Sequence, residues 1–150
     1  MRSIADALQS IAAALWVGGL WVIGYAVAPV LFSTLTDRAL AGLVAGQLFS
    51  LMAWIGLGCA AYLILYRLAC HGAAALRQGF FRMVLAMLAL TLAGEFGVQP
   101  VMAALKTQAL PTQVMESALR DRFVLWHGVA SVLYLLQSVL GGFMIVGLRK

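Results

Sequence analysis

Few ionisable or strongly polar side chains stand inside the long apolar stretches of this sequence, and those few are the residues that could do chemistry. Thr91, Glu95 and Gln99 recur every four residues and therefore share one face of a helix. Glu95 is the only acid within the stretch 83–105. Because an ionised carboxyl in apolar surroundings is costly unless it is paired, Glu95 is a candidate for binding a cation or relaying a proton.

A second set of polar residues lies near the end of the sequence. His127, Ser131, Tyr134 and Ser138 are spaced i, i+4, i+7 and i+11, within an arc of about 60° on a helix. Counted by depth along antiparallel helices, this set reaches the level of Glu95. The sequence therefore predicts one polar layer, a ligand, ion or proton site, contributed by four helices: Tyr25, Gln47, Glu95, Gln99, His127 and Ser131. The alternatives are a hydrogen-bond network that only fixes helix rotation, or helix ends that are wet by solvent.

The polar layer does not predict an enzyme. Nucleophilic catalysis needs a nucleophile, a positioned base and a third group that orients the base. Ser131, His127 and Glu95 supply suitable residue types, but Ser131 stands one turn from His127 on the same helix. The sequence also has no Gly-x-Ser-x-Gly motif. We therefore expect no catalytic residues.

Composition explains why these polar residues are so few. The 150-residue chain is 64% hydrophobic and 10% charged, whereas soluble domains have about 45–50% apolar and about 25% charged residues. Uncharged stretches cover 7–36, 39–66 and 123–148, and a spanning helix needs about 20 apolar residues. The sequence therefore predicts an all-α integral membrane four-helix bundle in one domain, 1–150, with helices at about 4–34, 40–67, 80–104 and 123–148.

Basic residues predict the orientation of the bundle. Ten Lys and Arg residues flank the spans. Six of them fall on one side: Arg2, Arg67, Arg77, Arg82, Arg149 and Lys150. Four fall on the other: Arg38, Lys106, Arg120 and Arg122. The positive-inside rule then places both termini in the cytoplasm (N-in/C-in) of a multi-pass protein of the bacterial inner membrane. Anionic headgroups account for the net charge of +5, so no nucleic-acid partner is expected.

Metal ligands are sparse. His71 and His127 are predicted on opposite sides of the bilayer, so they cannot both ligate one haem iron, and no Cys/His cluster has the spacing of a zinc site. Copper(I) favours soft ligands, and Met102 with His127 could approach one another near one surface, joined by Met115. No cofactor is therefore expected, with copper as the alternative, and the residues also leave open a haem bound by a single histidine.

Small residues predict how the helices pack. Inside lipid, close approach of helices depends on residues such as glycine. The best motif is Gly42-x-x-x-Gly46 at the start of the second predicted helix. Packing within the monomer is the first interpretation of this pair, and a self-association face is the alternative.

Several apolar motifs resemble a known family. They are the Trp16-Val17-Gly18-Gly19 element, Pro29 followed by Leu31-Phe32, and the Phe123-x-x-x-His127 spacing at the start of the fourth helix. Together they resemble bacterial four-helix membrane proteins of unknown function that are similar to eukaryotic transmembrane protein 205. The first element is also similar, more remotely, to copper-resistance protein D and to membrane protoporphyrinogen oxidases. The resemblance spans the whole chain and implies the fold and, through these relatives, a role in metal resistance.

The leading functional interpretation is a small accessory or solute- or metal-handling protein with lipid as its surroundings and its polar layer in the periplasmic half of the bundle. One alternative is a structural subunit that packs against a larger membrane complex, or a homo-oligomer, through its glycine faces. Another alternative is a haem- or copper-linked redox membrane protein.

The orientation can be tested by cysteine labelling in a variant that lacks Cys59 and Cys70. A cysteine placed at Gln113 should react with an impermeant maleimide added to the periplasmic side, while one at Ala74 should not, because the basic count places 74 in the cytoplasm. The reverse pattern would contradict both the orientation and the assignment of the polar layer to the periplasmic half.

Overall fold

The chain forms four long helices. The computed structural model describes residues 2–110 and 114–148, and that part of the chain contains no strand. Helix α1 covers 2–34, α2 covers Arg38–His71, α3 covers Gly79–Gln108 and α4 covers Arg120–Gly147. All four are long and apolar enough to cross a membrane. The predicted all-α membrane bundle is therefore confirmed, while its orientation stays a prediction.

Three helix ends differ from the sequence prediction by three residues or more. Helix α2 runs to His71 rather than 67, α3 runs to Gln108 rather than 104, and α4 begins at Arg120 rather than 123. These differences have the same cause, since a helix can continue past its apolar part and expose polar and charged residues at the membrane boundary. Lys106 therefore belongs to α3 and not to the connection that follows it. Gln113, Arg149 and Lys150, which entered the orientation argument, lie outside the described residues.

Neighbouring helices pack in an antiparallel ring. Helix α1 contacts α2 and α4, and α3 contacts the same two helices. At one end the Tyr62 hydroxyl donates to the carbonyl of Ala5 at 3.1 Å. At the other end Gly42 lies beside Phe32. We call these the 72–78 end and the 35–37 end, after the connections between α2 and α3 and between α1 and α2.

Glycines let the helices approach closely in the centre of the bundle. The indole of Trp16 is fully buried against Gly56, and a Cβ at Gly56 would overlap its Nε1 atom. A Cβ at Gly141 would lie 3.1 Å from both methyl groups of Val17. These contacts fix the rotation of α1 against α2 and α4, because a large side chain fits only where its neighbour has none.

Two helices contain a wide turn immediately before a proline. Ile23–Val27 in α1 and Ala93–Val98 in α3 are π-helical. The N–H of Ala28 bonds to the carbonyl of Ile23, and the N–H of Gln99 bonds to that of Gly94, five residues back in each case. A proline ring clashes with the carbonyl four residues earlier in a regular helix. The wide turns therefore accommodate Pro29 and Pro100 without ending the helices.

Short turns close the ends of α2. Asp37 accepts hydrogen bonds from the backbone N–H groups of Ala39 (2.8 Å) and Leu40 (3.2 Å), so it is the N-cap of the helix. Gly72 follows the last helical residue with a φ of 55°, a conformation that residues with a Cβ rarely adopt. Both connections at the ends of α2 are thereby short and defined.

We expect Gly56→Ala to destabilise the bundle, because its new Cβ must displace the buried Trp16 ring. Overpacking of this kind costs about 1–3 kcal/mol. Thermal unfolding in a mild detergent measures the effect. Gly58→Ala is the matched control on the same helix, since a Cβ there meets nothing within 4 Å. Equal melting temperatures for the two variants would contradict the assigned packing.

Candidate functional site

Polar side chains bridge α2 and α3 in the half of the bundle nearer the 35–37 end. Three hydrogen bonds make this bridge: Ser50 Oγ to Glu95 Oε1 at 2.5 Å, Gln99 Nε2 to the Gly46 carbonyl at 3.3 Å, and Lys106 Nζ to the Gly42 carbonyl at 3.3 Å. We call these six residues the polar ladder. The ladder places the Glu95 carboxyl and the Lys106 ammonium group on one face of α3, toward α2.

The ladder follows from matching spacings on antiparallel helices. Gly42, Gly46 and Ser50 are four residues apart on α2, and Glu95 and Gln99 are four apart on α3. Residues four apart on a helix share a face, so successive members meet in order when the helices run in opposite directions.

The two glycines of the ladder act as acceptors rather than as close-packing residues. A Cβ at Gly46 would meet nothing within 4 Å, and one at Gly42 would be 3.9 Å from Phe32. The backbone of α2 packs closely on the first segment of α3, Gly79–Leu92, and much less on the last, Gln99–Gln108. A helical carbonyl keeps a second lone pair after its backbone bond. Gln99 and Lys106 use that lone pair to cross the wider gap.

Glu95 lies near the middle of α3, within the π turn. It stands about 20 Å from Gln108 and about 24 Å from Gly79 at helical rise. Its side chain is half-buried, and its hydrogen bond comes from Ser50. Within residues 2–110 and 114–148, Glu95 forms no ion pair and shares no hydrogen bond with His127 or Gln47. Glu95 thus faces α2, where its partner Ser50 lies one turn after Gln47.

An aromatic pair stands beside the carboxyl. Trp54, one turn after Ser50 on α2, meets Phe96 edge to face, with 6.0 Å between the ring centroids. Both rings are also exposed on the outer surface of the bundle. The pair therefore joins α2 to α3 next to the hydrogen bond between Ser50 and Glu95.

The other members of the predicted layer lie apart from the ladder. Gln47 is exposed on α2. Tyr25 is 55% exposed, and its ring meets that of Tyr134 edge to face at 6.3 Å. Ser131 donates to the backbone carbonyl of His127 at 2.9 Å, within its own helix. Of the six residues predicted from the sequence, the structure therefore joins Glu95 and Gln99 to α2 and leaves the rest on other surfaces.

The copper hypothesis stays a prediction from the sequence. Met102 is buried on α3, while His127 is exposed on α4 and stacks on Phe123 with 6.1 Å between ring centroids. Across the described ranges no group of three His, Cys, Asp or Glu residues is placed to hold a metal ion. Oxygen and amide groups, not soft ligands, dominate the ladder.

Two of the four ladder residues that contribute side chains, Ser50 and Lys106, are absent from the predicted layer, and the two glycines join the ladder through their backbone carbonyls. Ser50 stands three residues after Gln47 on the same helix face, and that spacing is the signal that could have found it. Lys106 falls beyond the predicted third helix, 80–104, because charged residues mark the ends of predicted spans. Its spacing of eleven from Glu95 is the signal that could have found it, since positions i and i+11 share a helix face.

A separate buried pair joins α3 to α4. Gln137 Nε2 donates to Thr91 Oγ1 at 2.6 Å, and the Thr91 hydroxyl donates to the Met87 carbonyl at 2.9 Å. Both polar side chains are buried. This pair carries no charge and satisfies its own groups, so its role is to fix the rotation of the two helices.

These features define an integral membrane four-helix bundle that holds ionisable groups in a polar seam. The chain belongs to the family described as Domain of unknown function (DUF4149), whose model matches residues 11–111. The match includes every residue of the polar ladder and excludes α4. Neither a curated protein nor a solved structure shows a significant match to this chain. Membership of an uncharacterised family is thus confirmed, while the similarity to transmembrane protein 205 and copper-resistance protein D finds no support among known proteins.

We expect Gln99→Leu to destabilise the bundle, because it removes a bond to the Gly46 carbonyl. Such bonds between membrane helices contribute about 0.6 kcal/mol on average and at most about 1.7 kcal/mol. Unfolding in mild detergent measures the loss. Gln47→Leu is the matched control on an exposed position of α2. An equal loss of stability in both variants would contradict the hydrogen bond between Gln99 and the Gly46 carbonyl.

Proposed function

We propose that this protein is a small solute-handling protein of the bacterial inner membrane in which Glu95 binds and releases a proton. The observation that carries the proposal is the half-buried Glu95 carboxyl in the middle of α3, held by the Ser50 hydroxyl without a basic partner in the described part of the chain. Ionisable groups at membrane depth are costly, and they mark ion and proton pathways.

The chemistry of the ladder favours a proton over a metal ion. The groups around Glu95 are a hydroxyl, an amide and helix carbonyls, of which the Ser50 hydroxyl both donates and accepts hydrogen bonds and can relay a proton to the carboxyl. Lys106 holds a positive charge toward the 35–37 end of the seam, 5.8 Å from the Phe123 ring centroid. That charge opposes the entry of metal cations, while proton transfer can proceed through water.

The π turn supports the same role. Wide turns of this kind are rare and are often found at functional sites. In Ala93–Val98 the turn contains Glu95 itself and ends just before Gln99, the next member of the ladder. The turn holds one residue more than an α-helical turn, so it sets the rotation of the helix after Glu95 and thereby the direction of Gln99 toward α2.

The proposal includes no enzymatic activity. The Ser131 hydroxyl donates to the backbone carbonyl of His127 rather than to its imidazole. A serine held in this way is not activated by the histidine, and Glu95 faces a different helix. Among the described residues, the side chains of Ser131, His127 and Glu95, which a catalytic triad would join, thus form no hydrogen bond with one another.

Labelling with dicyclohexylcarbodiimide tests the proton site, because the reagent modifies protonated carboxyls in apolar surroundings. We expect an adduct at Glu95 in the purified protein, found by peptide mass spectrometry, and we expect it to decrease as the pH is raised. Ser50→Ala should change the rate of labelling at a fixed pH, because the carboxyl loses the hydroxyl that holds it.

Glu95→Gln should abolish the adduct and leave the melting temperature unchanged, because the amide oxygen still accepts the bond from Ser50. The exposed Glu116 is the internal control and should stay unlabelled. Absence of an adduct at Glu95 at every pH would refute the proton site. Protection of Glu95 by sodium or potassium at constant pH would show a metal-cation site instead.

A further inference from the structure

A cavity of about 540 Å³ opens at the 72–78 end, between the ends of α2 and α4 and the start of α3. Its polar side is formed by Arg67, His71 and Gln78, and its apolar side includes Phe80, Met83 and Val146. The cavity is separate from the polar ladder, which lies in the other half of the bundle. A guanidinium on one side and a hydrocarbon wall on the other give it the character of an amphiphile site.

Arg67 is fixed at this cavity without a counter-charge from residues 2–110 and 114–148. Its Nη1 atom donates to Gln78 Oε1 at 3.2 Å, and its guanidinium carbon lies 4.5 Å above the Phe80 ring centroid. Among the described residues, its buried Nε atom has no hydrogen-bond partner and no carboxylate pairs with the guanidinium. Asp6, which belongs to the same end, accepts from the Tyr66 hydroxyl at 2.5 Å.

We propose that this cavity binds the phosphate group of an anionic membrane phospholipid. A guanidinium held in one orientation is the side chain best suited to phosphate, because its planar donors match the phosphate oxygens. Basic pockets between membrane helices on the cytoplasmic side bind such headgroups, and the basic residues of the sequence predict that this end faces the cytoplasm.

The apolar wall distinguishes a lipid from a free phosphate. Val146 on α4 lines the cavity and is 63% exposed, so the apolar wall reaches the outer surface of the bundle. An acyl chain can lie along this surface while its phosphate contacts the guanidinium. A soluble phosphate would use the polar side alone and gain nothing from the wall.

The test uses the full chain purified in neutral detergent and its melting temperature during titration with defined lipids. We expect phosphatidylglycerol to raise the melting temperature more than phosphatidylcholine does. Arg67→Met should weaken the apparent affinity for phosphatidylglycerol by roughly tenfold or more, the usual effect of losing a charge-assisted bond. Arg77→Met is the matched control, since Arg77 is an exposed arginine at the same end that does not line the cavity.

Val146→Trp supplies a second variant that leaves Arg67 in place and fills the outer part of the cavity. It should weaken phosphatidylglycerol binding while the response to inorganic phosphate stays as in the wild type. Equal phosphatidylglycerol affinity in the wild type and in Arg67→Met would overturn the site. Inorganic phosphate that stabilises as strongly as the lipid, with no effect of Val146→Trp, would overturn the lipid assignment in favour of a soluble phosphate.

Discussion

Backbone hydrogen bonding inside an apolar span is the constraint on which the other features of this protein depend. Hydrocarbon offers no water to an unpaired N–H or carbonyl, so each crossing must satisfy its own backbone. Four long helices meet that demand, including at Pro29 and Pro100, where the bonds reach five residues back. Because the helices stay continuous past their prolines, α3 carries Glu95, Gln99 and Lys106 along one unbroken seam.

Helix rotation then determines which polar groups meet. Trp16 fits against Gly56, and Val17 fits against Gly141, so α1 holds α2 and α4 in register. Gln137 and Thr91 fix α4 against α3. With these rotations fixed, the backbone carbonyls of Gly42 and Gly46 on α2 face the later part of α3. The polar ladder is therefore a consequence of packing elsewhere in the bundle.

Composition was sufficient to predict the helices, but not the partners of their polar side chains. Long uncharged stretches predict membrane spans, and an acid within such a span marks a candidate site. The π turn Ala93–Val98 interrupts the regular spacing of four residues, so a stripe that looks straight in sequence turns from one neighbour to the next. Thr91 accordingly meets α4, while Glu95 meets α2. The burial of residues near helix ends was harder still to predict, since His127 lies seven positions into α4 and is nevertheless exposed.

The π turn at Ala93–Val98 has a consequence for how the family can vary. Such a turn holds one residue more than an α-helical turn, so deleting a single residue there would restore a regular helix and rotate everything beyond it by about 100°. Gln99 and Lys106 would then point away from α2, although both side chains would still be present. Within the family, a one-residue gap at this place would distinguish chains that cannot form the ladder from those that can.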